Sequence, residues 1–512
     1  MPSSHWPRTL GTCGVPSKTE ANDIQNIISL GNSDLSKLDV ELDRVQEVVK
    51  QLSRRRDEIS EHITKHKAFL SPVRGIPDEV LAEIFICCLP QFEREGKRSS
   101  SFRRLQAPLL LAQICSRWRA IALSTQKLWS FIHIDYGPLT AESDVAQMSL
   151  WLERSGTHLL SLVLRERIDP SNYTHEDRAL ILDTILSSSR RWQDVEICAL
   201  RETVDYLSPI RNALPALQSV ALRMNNTNFQ QPCICDAFEI APALRTVDLG
   251  VDVLPTTFKF PWIHLTDFAS HDTMFTPPEC LEILRLCPRL ISCWFGILYD
   301  HPIEPTTPPL QHFHLINFRL PPESHLGSFF DCLTLPALGA VCLDQAQTSV
   351  TQGWPGPQFL NLLRRSSCTL HKFTWALDSV KIENILPCLE IMPDLKELQI
   401  FPDLGHSLPE LLKSLTLGKP DGAERQLCPK LQAIQLSVDH AFDAKVLSDF
   451  VKSRRNIDTV RDGVVRFRCI RLLPVPMHWE PEMRLRDLKK FEDNGLDILV
   501  QDLGDELRPV VL

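Results

Sequence analysis

Glycine is scarce in this 512-residue chain, with 19 residues against 37 prolines. The chain is therefore punctuated often, but seldom by glycine-built turns. No run of about 20 apolar residues occurs, which excludes a membrane-spanning helix from the expectation. The first residues, MPSSHWPRTLGTCG, lack the apolar stretch of a secretory signal, so a cytoplasmic or nuclear location is expected. Neither sign of charge dominates: 55 basic and 64 acidic residues leave a net charge of -9, which argues against a nucleic-acid binder. There is no phosphate-binding loop, HExxH helix, nucleophile elbow or CxxC pair. Cys233-Ile234-Cys235 stands alone, and a metal needs more than two ligands. The histidines do not cluster; His312 and His314 merely flank Phe313. No catalytic, metal-ligating or cofactor-binding residue is expected, and the chain reads as a non-enzyme. Its 16 cysteines lie in apolar stretches such as Ile86-Cys87-Cys88-Leu89, which suits buried free thiols in a reducing compartment.

Residues 1–22 are polar and read as a disordered tail. A heptad follows over 23–68. Ile28, Leu35, Leu42, Val49 and Ile63 share one phase, interrupted by Arg56; Ile24, Leu38, Val45, Leu52 and Ile59 share the other, interrupted by Gly31 and His66. That is an a/d seam with charged flanks, the signature of a coiled coil. It suits self-association or another helical partner, or a helix laid back on its own domain.

From about residue 140 to the end a different unit recurs: leucine, two residues, an apolar residue, one residue, another apolar residue. Leu159/Leu162/Leu164, Trp192/Val195/Ile197, Leu217/Val220/Leu222, Leu310/Phe313/Leu315 and Leu395/Leu398/Ile400 are instances. Proline often stands two residues before the leading position, as at Pro215, Pro308 and Pro393. Helix-like stretches, among them 278–287, 359–365, 382–391 and 444–454, separate the units. One strand and one helix cannot bury their own apolar face, but a stack of neighbours can. Residues 140–512 therefore read as an irregular α/β solenoid of the leucine-rich-repeat kind, with independent short α/β layers as the alternative. The residues between the apolar positions would point away from the core. They include Ser219, Ala221, Thr246, Asp248, His312, His314, Thr374, Ala433 and three chosen as target-binding candidates, Glu397, Gln399 and Gln435.

Between the heptad and the repeats lies a segment with its own pattern, 70–136. Pro77 opens a helix, where its missing N–H costs nothing. Asp78 and Glu79 suit the positive end of the helix dipole. Val80, Leu81, Ile84, Phe85 and Cys88 form an apolar face. A basic insert occupies 93–106, and a second helical region spans about 108–123. Trp118 lies one turn from Ile114 and Ile121, so the three share a face; Trp118, Ile121 and Trp129 are expected to form the core of so small a module.

The order Ile76-Pro77, Leu81, Ile84-Phe85, Ile114-Cys115, Arg117-Trp118, Ile121-Ala122, Leu128-Trp129 resembles an F-box. With the flanking Leu70-Ser71-Pro72-Val73-Arg74-Gly75-Ile76-Pro77 and Trp151-Leu152-Glu153-Arg154-Ser155-Gly156, it is similar to the fungal F-box-like family. That resemblance implies a multidomain protein: a coiled-coil helix, an all-α trihelical F-box, then the repeats. It implies a substrate-recognition subunit of an SCF-type ubiquitin ligase. Pro77, Leu81, Ile84, Phe85, Leu110 and Ile114 would meet a Skp-type adaptor that joins a cullin, and the repeats would hold an unknown target protein. The alternative is an F-box scaffold acting outside ubiquitination. Neither nucleic acid nor membrane is an expected partner.

Overall fold

The computed structural model describes residues 15–89, 106–136, 141–166, 175–224, 234–250, 253, 258–297, 308–320, 326–344, 355–376, 382–401, 408–417, 426–438, 444–455, 464–474 and 495–500. The chain forms two compact units, 1–84 and 85–512.

The first unit is dominated by one helix, Lys18–Phe69, of 52 residues, roughly 78 Å long at 1.5 Å per residue. It begins inside the segment expected to be a disordered tail. The reason is a capping box: the Ser17 side chain accepts from the Glu20 N–H, and the Ser17 N–H donates to the Glu20 carboxylate at 2.8 Å. Two first-turn donors are thus satisfied. Residues 1–14 of the tail lie outside the described residues. A short turn, Pro72–Gly75, follows the helix.

The second unit is built on a parallel sheet. Among the described residues, 14 strands follow one another in chain order, from Phe131–Tyr136 to Asp497–Val500, every neighbouring pair parallel. Two apolar ladders cross it in register. One runs Ile132, Leu162, Val195, Val220, Val247, Phe268, Cys293, Phe318, Val341, Phe373, Leu398, Ile434, Ile470; the other is carried two residues further along each strand except Asp267–Phe275, where Ser270 takes the position and the register shifts after Ala269. Helices pack on this face. Phe359, in helix Gly356–Ser366, stacks at 5.9 Å on Phe373, and Phe329, in helix Leu326–Asp331, meets Phe318 at 6.2 Å. This is the solenoid expected from the repeats.

Three repeat assignments change. Leu159 is exposed, and Leu160 fills the leading position opposite Trp192, because a register shift follows it. The unit Leu310/Phe313/Leu315 gives way to Leu315/Phe318/Leu320. Leu310–Gln311 pairs instead with Leu333–Thr334 in a separate two-stranded ladder, leaving Phe313 62% exposed. The array also starts earlier than residue 140: Trp129/Ile132/Ile134 is its first unit, buried throughout.

Arginine stitches successive repeats together. Arg454, fully buried near the end of helix Ala444–Arg455, donates to the carbonyls of Leu415, Leu427 and Cys428 at 2.6–2.9 Å. Arg365 does the same for Phe330 and Leu333, and Arg191 for His158 and the Ser155 hydroxyl. Each reaches the end of the preceding repeat's helix, where carbonyls lack intrahelical donors. Burial pulls the Arg454 guanidinium down to about 10, still cationic at neutral pH.

Candidate protein-interaction surfaces

The segment that follows the long helix holds helices Asp78–Cys87, Leu111–Ile114 and Ser116–Ser124. The second helical region is interrupted at Cys115, whose extended backbone starts a new helix and whose sulfur accepts from the Trp118 N–H. Of the expected adaptor contacts, Leu81 and Phe85 are buried at 1% exposure each. They stand one turn apart on the inward face of their helix, so neither is available to a partner. Pro77, Ile84, Leu110 and Ile114 are exposed. Trp118 is half-buried with its ring 4.8 Å from Phe85. Ile121 and Trp129 are buried, and Trp129 donates its indole N–H to the Ala122 carbonyl at 2.8 Å. The boundary between the compact units falls within helix Asp78–Cys87, and residues 131–136 are already the first strand of the sheet. Cys87 and Cys88, expected inside, are exposed. The basic insert, apart from Gln106, lies outside the described residues.

The sheet face away from the helices carries the side chains that alternate with the apolar ladders, and they are largely polar. Near its start, Glu196 accepts from Arg165 at 3.1 Å and faces Arg223 at 3.4 Å; Arg223 lies 3.6 Å from Asp248 on the next strand. Glycine at 250 makes room for this arginine, since a Cβ there would come within 2.4 Å of its side chain. Near the end, Glu397 bridges Lys372 at 3.4 Å and Arg471 at 3.2 Å. Gln399 donates to Glu397 at 2.6 Å and accepts from the Thr374 hydroxyl at 3.0 Å.

That network corrects the choice of target-binding candidates. Gln399 is 0% and Gln435 6% exposed, and both Glu397 carboxylate oxygens are engaged in ion pairs. Parallel strands about 4.8 Å apart crowd long polar side chains against their neighbours in the row. Asp248, Thr374 and Ala221 are buried for the same reason, and His312 is buried off the sheet, its Nε2 donating to the Cys287 carbonyl at 2.8 Å.

A better anchor sits mid-sheet. Trp294 and Arg319 occupy facing positions on adjacent strands, with the guanidinium 3.3 Å from the centre of the indole, and both are half-buried. Sequence reasoning passed over them, although Trp294 lies between Cys293 and Phe295 of a recognised repeat. A large aromatic at an outward strand position was the available signal.

Among the described residues, no group of three His, Cys, Asp or Glu side chains is placed to hold a metal, and no helix is long and apolar enough to cross a membrane. No protein-family model and no curated protein matches the sequence. Among solved structures, the chain is similar to the leucine-rich repeat-containing protein LegL7 from Legionella pneumophila, at 12% identity and a TM-score of 0.35, over 70% of this chain and 98% of that one.

Proposed function

We propose that this chain is a non-catalytic recognition protein whose sheet face away from the described helices holds a protein ligand, and that it serves as the substrate-recognition subunit of an SCF-type ubiquitin ligase. The observation that carries the recognition reading is that face itself. It is a broad run of in-register strands with a Trp–Arg pair at its middle, and these two residue types dominate protein-interface hot spots. The ligase reading rests on the motif order from Pro77 to Trp129. Of the six positions that the resemblance assigns to a Skp-type adaptor, Pro77, Ile84, Leu110 and Ile114 are exposed.

Capture with the tagged full-length chain from cells with blocked proteasomes tests both parts. Adaptor and cullin should co-purify, and Ile84→Asp or Ile114→Asp should remove them. The pair Trp294→Ala and Arg319→Ala should remove the target while leaving the adaptor. Capture of a ligand without adaptor or cullin would favour the scaffold reading, which the long exposed helix also suits.

A further inference from the structure

We infer that the long helix pairs with the same helix of a second copy of this chain, antiparallel, in the register that sets Lys18 of one copy opposite Phe69 of the other. The inference is independent of adaptor binding.

The apolar stripe needs a partner. From Ile28 onward its apolar members are exposed from 47% at Ile63 to 65% at Leu52, with Leu35, Leu38, Leu42, Val45 and Val49 between those limits, while Ile24 is half-buried. The two breaks in the stripe decide its orientation. In a parallel pair every position faces itself, so Arg56 would meet Arg56 and Gly31 would leave a gap against Gly31. In the antiparallel register proposed here, residue i faces residue 87 − i. Ile28 then meets Ile59, Leu35 meets Leu52, Leu42 meets Val45, and Arg56 meets Gly31. The largest and the smallest residue of the seam share one layer, as facing positions in a packed core do. No described neighbour requires a glycine at 31: a Cβ built there meets nothing within 4 Å.

Charge agrees. Residues 18–43 contain six acidic and two basic side chains, and residues 44–69 seven basic and four acidic. Antiparallel pairing lays acidic half on basic half. At the flanks of the seam it brings Asp34 opposite Arg55 twice. Parallel pairing would instead set Asp34 against Asp39 and His62 against Lys67. Asp34 and Arg55 already have exposed intrahelical partners, Lys37 at 3.2 Å and Glu58 at 3.0 Å, but such surface pairs are weak and shareable. The register also spends the whole helix: its two ends, Lys18 and Phe69, coincide, so all 52 residues overlap.

Sedimentation of the full-length chain tests this, with circular dichroism confirming that each variant stays folded. The wild type should be a dimer. Asp34→Arg and Arg55→Asp should each raise the dissociation constant at least about fivefold, because each turns two attractions into two repulsions. The double exchange should return it to within about twofold of the wild type. Leu42→Asp should give monomers. A monomeric wild type overturns the proposal, as does a dimer that survives Leu42→Asp. Tightening by Asp34→Arg would also overturn it, since that is the parallel outcome. So would a double variant that fails to recover.

Discussion

Trp129 stands edge-on to Trp151, ring centroids 4.8 Å apart, with the Arg154 guanidinium 4.4 Å from the centre of the Trp129 ring. The contact joins the last turn before the first strand to the first helix of the solenoid. It explains how one tryptophan serves two patterns at once, the end of the F-box-like motif and the leading position of the first repeat. Trp129→Ala should therefore cost about 3–5 kcal/mol, the usual range for deleting a buried aromatic. Thermal melting followed by circular dichroism would detect it, and near-ultraviolet signal from the tryptophans should fall with it.

Arg454→Met should destabilise the chain by roughly 2–4 kcal/mol. The methionine fills much of the volume but leaves the Leu415, Leu427 and Cys428 carbonyls without their buried donor. Denaturant titration would measure it. Arg454→Lys should rescue little, because an ammonium cannot reproduce the planar fork that spans three carbonyls.

His312 predicts a pH dependence. Burial holds its imidazole below the ordinary value of 6.5, and the neighbouring His314 pushes the same way. The folded state thus favours the neutral ring. Its contribution is fully present above about pH 6.5 and is lost as pH falls through the lower, folded value, where the unfolded chain has already bound the proton. Melting temperatures measured from pH 7.5 down to 5 should fall less steeply in His312→Gln than in the wild type.

Changing Glu397, Gln399 and Gln435 together should lower stability before it reports on binding. Removing Glu397 alone strands Lys372 and Arg471 beside each other on a partly buried face, at a cost of about 1–3 kcal/mol. A differential scan on Glu397→Ala should show this shift, and the Trp294/Arg319 pair is the cleaner probe of docking.

Periodicity made most of the solenoid legible. A leucine three residues before an alternating pair marks a strand whose inward positions are repeated in every neighbour, and Leu217, Leu244, Leu338 and Leu395 all lie fully inside. It failed where a proline gave the phase without the sheet: Pro308 precedes Leu310 as other prolines precede true units, yet that strand joins a different ladder. Helix starts were harder to place. The Ser17–Glu20 box was written in the sequence, but the polar residues around it looked like tail. The outward positions misled for another reason. Alternation tells which face a side chain takes, but exposure depends on the length of its neighbours in the next strands. Gln399, flanked by Thr374 and Gln435, is covered.

The unbroken chain-order of the sheet has a consequence for how this molecule can change. Among the described residues, each strand of the sheet pairs only with the sheet strands before and after it, so few distant parts of the chain must be remade when a repeat is gained, lost or lengthened at its connecting loop. The recognition face can be extended or re-lettered one rung at a time. By the same logic it should come apart one rung at a time under load, peeling from an end rather than failing as a whole.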